Sequence, residues 1–199
     1  MNMELIATHN SATYRKGSGL LSWFATPFAR CQNKTFREQY EAGCRYFDIR
    51  VKQDETGNGF PYYVCHGIWR TDCLSEVLSD LSSAVDEGES VFIDITWEGN
   101  VSNWNSVRAS TFINDMKTAV TLVNGTSKKR TTLKLASVQG KAPFGTYLYK
   151  DPECPALQKG FYGLYWFTWR LLLPIPWLWR KIYGQAEFNE TTYTQVDFL

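Results

Sequence analysis

Over its first hundred residues the chain alternates short β-prone runs with helical periodicities, and four of those runs carry polar or ionisable residues at or just past their C-terminal ends. Residues 4–8 form an apolar run that stops at His9. The run 45–51 holds Asp48 and Arg50. The run 62–65 stops at His66, and the run 90–96 holds Asp94 and Thr96, with Glu98 just beyond. Side chains alternate along a strand with a period of two, so Asp48 and Arg50 share one face, and Asp94, Thr96 and Glu98 share another. Charges on apolar strands are costly to bury unless they are paired or hydrogen-bonded. A chain that repeats this pattern on successive strands must gather those groups at one end of a sheet.

The segments between the strands read as helices. Residues 34–43 place Phe36 and Tyr40 on one face and end at Gly43. Residues 74–87 are apolar at 74, 77, 78, 81 and 85, and residues 106–123 repeat a similar spacing. Residues 20–28 read as a short helix or exposed loop closed by Pro27, and 54–59 as a turn. Residues 131–138, 146–150 and 192–199 are β-prone, while 151–190 has no assignable pattern. Strands alternating with helices imply βαβ units and a mainly parallel sheet. In a barrel of such units, chemistry collects at the C-terminal mouth.

Composition narrows the function classes. With 21 Lys+Arg against 20 Asp+Glu the net charge is +1. That excludes the basic field of a bulk nucleic-acid binder. The five cysteines are odd in number and contain no Cys-x-x-Cys, which argues against a zinc ribbon or redox dithiol. The two histidines are too few for a His-rich metal site. Both, however, fall at strand ends, on either side of a strand bearing a carboxylate and a guanidinium. Such a set supplies a general base, a general acid and an anion stabiliser, as phosphoryl transfer without a metal requires.

The motifs around these residues resemble those of the phosphatidylinositol-specific phospholipase C X-domain family. Ala7-Thr-His-Asn-Ser-Ala-Thr-Tyr14 is similar to its first motif. Gln39-Tyr-Glu-Ala-Gly-Cys-Arg-Tyr-Phe-Asp-Ile-Arg-Val51 is similar to its second, Cys65-His-Gly67 to its third, and Glu89-Ser-Val-Phe-Ile-Asp-Ile95 to its fourth strand. The resemblance covers residues 4–98. Beyond it, residues 135–141 and Thr194-Gln-Val-Asp-Phe198 bear a fainter likeness. It implies one catalytic domain over 1–199, an α/β fold built as a distorted, compact TIM-type (β/α) barrel. At 199 residues the chain sits at the floor for such a barrel, so elements of its second half are expected to be shortened or missing.

The resemblance also implies a mechanism. His9 would act as general base on the inositol 2-hydroxyl and His66 as general acid on the diacylglycerol oxygen. Asp197 would orient His9, and Asp48 would hold its neighbours in register. Products would be diacylglycerol and a cyclic inositol phosphate. Asn10, Asp94, Thr96 and Glu98 are expected on the substrate side. Arg50 stands where calcium-dependent members carry a second carboxylate, which implies the metal-independent bacterial type with no cofactor. Asn10 points the other way, since calcium enzymes carry Asn there. Two alternatives stay open. One is a metal-dependent phosphodiesterase using Asn10, Asp48 and Asp94 or Glu98, acting on another lipid or a glycerophosphodiester. The other is a non-catalytic lipid-headgroup binder, against which the retention of both histidines and Arg50 argues.

The expected partner is a phospholipid at a membrane surface, bound by a monomer. Four of the eight tryptophans lie between Trp166 and Trp179, interleaved with aromatic and basic residues. Trp177 and Trp179, with Trp23 and Phe24 of the apolar run 20–28, are the expected membrane contacts. The uninterrupted apolar run 171–179 holds nine residues and two prolines. It falls short of the roughly 20 needed to span a bilayer. With no signal-peptide pattern at the start, the default expectation is an intracellular or peripheral membrane protein.

Overall fold

A computed structural model describes residues 5–53, 62–99, 106–140, 147–151, 186–189 and 193–197. The elements run β1 (Leu5–Thr8), α1 (Gly19–Ala29), α2 (Phe36–Glu41), β2 (Cys44–Gln53), β3 (Tyr62–His66), β4 (Trp69–Cys73), α3 (Leu74–Ala84), β5 (Ser90–Trp97), α4 (Ser106–Thr126), β6 (Thr132–Gly140), β7 (Tyr147–Lys150), β8 (Ala186–Asn189) and β9 (Tyr193–Asp197). The sheet is mixed, in the order β7-β6-β5-β2-β1-β9-β8, with the hairpin β3–β4 attached to β2. Its centre is parallel: β6, β5, β2, β1 and β9 run the same way. The strands β3, β7 and β8 pair antiparallel to their neighbours. Among the described residues the sheet does not close into a barrel.

Period-two alternation gives the sheet two different faces. Phe47, Ile49 and Val51 of β2 and Val91, Ile93 and Ile95 of β5 are buried in one cluster. Leu74, Val77, Leu78 and Leu81 of α3 and Phe112, Met116, Val120 and Val123 of α4 join them there. That is the helix-covered core, and its aliphatic packing supplies most of the apolar burial that holds the fold. The other residues of the same strands face away from it. At their N-terminal ends Tyr46 and Phe92 stack at 6.4 Å beside Ala7 and Ala136. At their C-terminal ends stand Asp48, Arg50, Asp94 and Thr96. Cα register pairs Asp48 with Asp94 and Arg50 with Thr96.

The expected helices form, with ends set by local chemistry. The helix read over 34–43 spans Phe36–Glu41, because Thr35 and Glu38 make a reciprocal capping box at its start. Gly43 ends the turn with φ +101. The helix α3 stops at Ala84, three residues before the expected end, where Val85 turns to extended backbone. Helix α1 runs through Pro27 to Ala29. A proline within the last turn removes a single i→i−4 bond, and the Arg30 N–H still donates to the Thr26 carbonyl at 3.0 Å. Strand β4 is the unanticipated element. Gly67, at φ +61, opens a two-residue connection from His66 to Trp69, the glycine-first turn that joins antiparallel strands. The turn read at 54–59, most of 151–190, Trp177 and Trp179 lie outside the described residues.

Candidate active site

His9 follows β1 and is fixed by the loop around it. Asn10 takes a left-handed conformation, φ +46, which asparagine tolerates better than most residues. The backbone N–H of Ser11 donates to the Asp48 carbonyl at 2.8 Å and ties the loop to β2. Gln32, fully buried, donates from Nε2 to the His9 carbonyl at 3.2 Å. The Thr13 hydroxyl accepts from the backbone N–H groups of Cys31 and Gln32. The loop carrying His9 and the segment after α1 are thereby locked to each other.

The His9 ring is held from both nitrogens. Its Nδ1 lies 2.9 Å from Asp48 Oδ2. Its Nε2 faces the Asn10 amide nitrogen at 2.8 Å and an Arg50 Nη2 at 3.2 Å. Asp48 is 1% exposed and also accepts from the Asn10 backbone N–H at 3.2 Å. Asp48 thus makes an orienting contact to His9. The strand β1 lies between β2 and β9, so a carboxylate on either neighbour could flank His9. Val196 pairs with Thr8, which sets Asp197 beside His9 in register, but its side chain is outside the described set.

His66 ends β3. Its Nδ1 lies 2.7 Å from the carbonyl of Ala29, the last residue of α1. Cys31 Sγ is 3.9 Å from the same nitrogen, and Nε2 faces the Asn10 amide nitrogen at 3.4 Å. The two imidazole rings stand 6.5 Å apart between centroids, nearly perpendicular. Their Nε2 atoms meet at one point, now held by the Asn10 carboxamide.

Arg50 and Glu98 form the charged wall. Arg50 donates from Nη1 to Glu98 at 2.7 Å, and its Nε lies 3.6 Å from Asp48. Burial opposes the charge on Arg50, yet Asp48 and Glu98 overcome it and raise its proton affinity further. Burial likewise opposes ionisation of Glu98. Arg50, His66 and the Gly67 N–H outweigh it and keep the carboxyl below the usual glutamate range. The Gly67 N–H donates to Glu98 at 2.8 Å, and the Glu98 N–H donates to the Val51 carbonyl at 2.8 Å. Glu98 thus joins β2, the end of β5 and the turn after His66.

Six sequence-identified residues, His9, Asn10, Asp48, Arg50, His66 and Glu98, come together. Asp94 is occupied differently: it accepts from Ser137 Oγ and from Gln139 Nε2 at 2.8 Å, both on β6. Thr96 Oγ1 is buried without a hydrogen-bond partner. Gln32, Cys31 and the Ala29 carbonyl were not legible in the sequence, because their approach depends on how α1 packs. Among the described residues no three His, Cys, Asp or Glu side chains are grouped to hold a metal ion. The space between Asp48 and Glu98, where a cation would be drawn, contains the Arg50 guanidinium.

Beside this site α1 presents an apolar outer face. Its small residues Ala25 and Ala29 pack on Trp69 of β4. Leu20, Leu21, Trp23 and Phe24 project outward, as does Ile68 in the turn after His66. No helix among the described residues is long and apolar enough to cross a membrane.

The chain matches no protein-family model and no curated protein. Solved structures similar to it include a phosphatidylinositol-specific phospholipase C from Listeria monocytogenes, at 24% identity over 58% of this chain and 40% of that one, TM-score 0.39. Another is a mutant of the phosphatidylinositol-specific phospholipase C from Staphylococcus aureus, at 17% identity over 66% of this chain and 46% of that one, TM-score 0.46. The chain covers less than half the length of each.

Proposed function

We propose that the chain is a phosphodiester-cleaving enzyme acting on phosphatidylinositol or a related phospholipid, without a metal, by acid–base chemistry of His9 and His66. The observation that carries this reading is the convergence of both Nε2 atoms on one point beside Arg50. A phosphodiester seated beside the Asn10 carboxamide would have a proton acceptor on one side, a proton donor on the other and a guanidinium at its oxygens.

The surroundings support a division of the two roles. Asp48 takes the proton side of His9 at Nδ1, and Arg50 lies against Nε2 and disfavours a second proton there, so His9 serves as the base through Nε2. His66 takes its Nδ1 partner from the carbonyl end of α1 and lies near Glu98, both of which favour imidazolium, so His66 serves as the acid. In the first step His9 removes a proton from a substrate hydroxyl, whose oxygen attacks phosphorus. The bond to the leaving oxygen breaks as His66 protonates it. With phosphatidylinositol the attacking group is the inositol 2-hydroxyl, and the products are diacylglycerol and a cyclic phosphate. Water then opens the ring with the two histidines exchanging roles. Asp48 holds the base, and the outer face of α1 with Ile68 meets the lipid surface.

The test is cleavage of phosphatidylinositol in vesicles, with and without EDTA, by wild type, His9→Ala and His66→Ala. Each alanine variant is expected to lose at least about 10²-fold in rate, and EDTA to change nothing. Strict calcium dependence, or cleavage that survives both substitutions, would overturn the reading.

A further inference from the structure

Asn10 is the residue between the two imidazoles, and its contacts bear on their protonation. At Nδ1 each ring meets an atom that only accepts: the Asp48 carboxylate for His9 and the Ala29 carbonyl for His66. Both Nδ1 atoms must therefore carry a proton. In the neutral rings both Nε2 atoms are then lone pairs. The Asn10 amide nitrogen, with two hydrogens, lies 2.8 Å from one and 3.4 Å from the other. The same nitrogen lies 3.5 Å from Cys31 Sγ, so its two hydrogens face two imidazole lone pairs and a thiol. The carboxamide's other end, Oδ1, is buried without a partner.

This arrangement suits a resting site with both rings neutral and opposes a working one. A general acid must carry its transferable proton on Nε2. Protonated there, His66 would set an N–H against the N–H of Asn10. Turning the carboxamide over presents the unpartnered Oδ1 to that proton and removes the conflict. Resting on the catalytic reading above, we propose that Asn10 is a positioning residue that follows the charge of His66, donating to the neutral ring and accepting from the imidazolium by inverting its amide.

Other charged groups face the same rings. Asp48 and Arg50 on β2 flank His9. Glu98 after β5 and the Cys31 thiol after α1 flank His66. Asn10 is distinguished by contacting Nε2 of both rings with a group that can donate from one end and accept at the other. The substitution Asn10→Asp is informative because aspartate also tolerates the left-handed backbone at this position. A carboxylate can only accept. It holds the imidazolium and cannot stabilise the neutral ring.

Only two histidines exist in the chain, so the experiment is clean. Imidazole nitrogen spectra of ¹⁵N-histidine-labelled protein, without substrate, report tautomer and titration of each ring, and His66→Gln assigns the signals. Wild type is expected to show Nδ1–H on both neutral rings. N10D is expected to raise the proton affinity of His66 about tenfold or more, and Asn10→Ala to raise it far less. An Nε2–H tautomer on either neutral wild-type ring overturns the proposal and needs no variant. So does an N10D titration matching wild type, or one matching N10A. In turnover, N10D is expected to move both limbs of the pH profile upward, since His9 must be neutral and His66 charged. The spectra read Asn10 without catalysis. Inactivity of wild type in the lipid assay would sink the catalytic reading while leaving the tautomers as measured.

Discussion

Arg50 is the residue on which the charged wall depends, and its replacements separate charge from shape. It lies between two buried carboxylates and also reaches His9. Arg50→Ala leaves Asp48 and Glu98 without their cation, and breaking a buried pair in this way costs about 3–5 kcal/mol. Arg50→Lys keeps the charge but replaces a planar fork with a single point donor, which cannot meet Glu98 and a substrate oxygen together. The lysine variant is expected to stay folded in urea titration yet lose about 10²-fold in kcat on a soluble phosphodiester. Full activity in that variant would reduce Arg50 to a structural counter-ion.

Glu98 makes a second prediction at the same scale. Its carboxyl is held below the usual glutamate range in the folded protein. Such a group contributes stability that is fully present above its unfolded value, near about 4.3, and is lost as pH falls toward the folded value. Glu98→Gln is therefore expected to lower stability at pH 7 and to flatten its dependence on pH below about 4.5, by urea unfolding across that range. An unchanged acid limb would show that the titration of Glu98 is not coupled to folding. The position of Glu98 follows from strand periodicity. The contact of Asp48 with His9 was not legible, because two strands flank β1 and sequence does not say which side chain turns toward the ring.

Among the elements, α1 shows how sequence pattern and packing divide the information. Its apolar run was visible, but its direction was not. The small residues Ala25 and Ala29 face Trp69 while Trp23 and Phe24, at 62% and 60% exposure, face outward. The same inward face delivers the Ala29 carbonyl to His66, a backbone contact no side-chain motif encodes. Strand β4 was missed for a related reason. Its five residues mix Trp69 and Thr71, which are buried, with Arg70 and Asp72, which are not, and only Gly67 marks the turn. The double substitution Trp23→Ala, Phe24→Ala removes exposed surface, so thermal stability and turnover of a soluble substrate are expected to stay near wild type. Co-sedimentation with phospholipid vesicles is expected to fall about tenfold or more, since each large aromatic withdrawn from the interface forfeits about 1.5–3 kcal/mol of burial. Equal loss of soluble turnover would mean that α1 serves the site through packing alone.

For the whole molecule, charge balance and charge placement lead to different expectations. With a net charge of +1 the chain offers little long-range attraction to an anionic surface. Some of its described ionic groups are paired with one another. Arg15 pairs with Asp72 and Asp80, and Arg37 with Glu41 and Asp86. The exposed feature beside the site is apolar instead. If the outer face of α1 supplies the adhesion, vesicle binding must depend weakly on salt. Raising ionic strength from about 0.1 M to 1 M shortens the screening length from about 10 Å to 3 Å and would collapse a contact made by charge. Apolar burial is not weakened by the same change. Binding to vesicles containing anionic lipid is therefore expected to change less than about threefold over that range, where loss of even three phosphate-facing cations at about 1 kcal/mol each would exceed a hundredfold. A steep salt dependence would place the adhesive surface on basic residues, and α1 would then be a secondary contact.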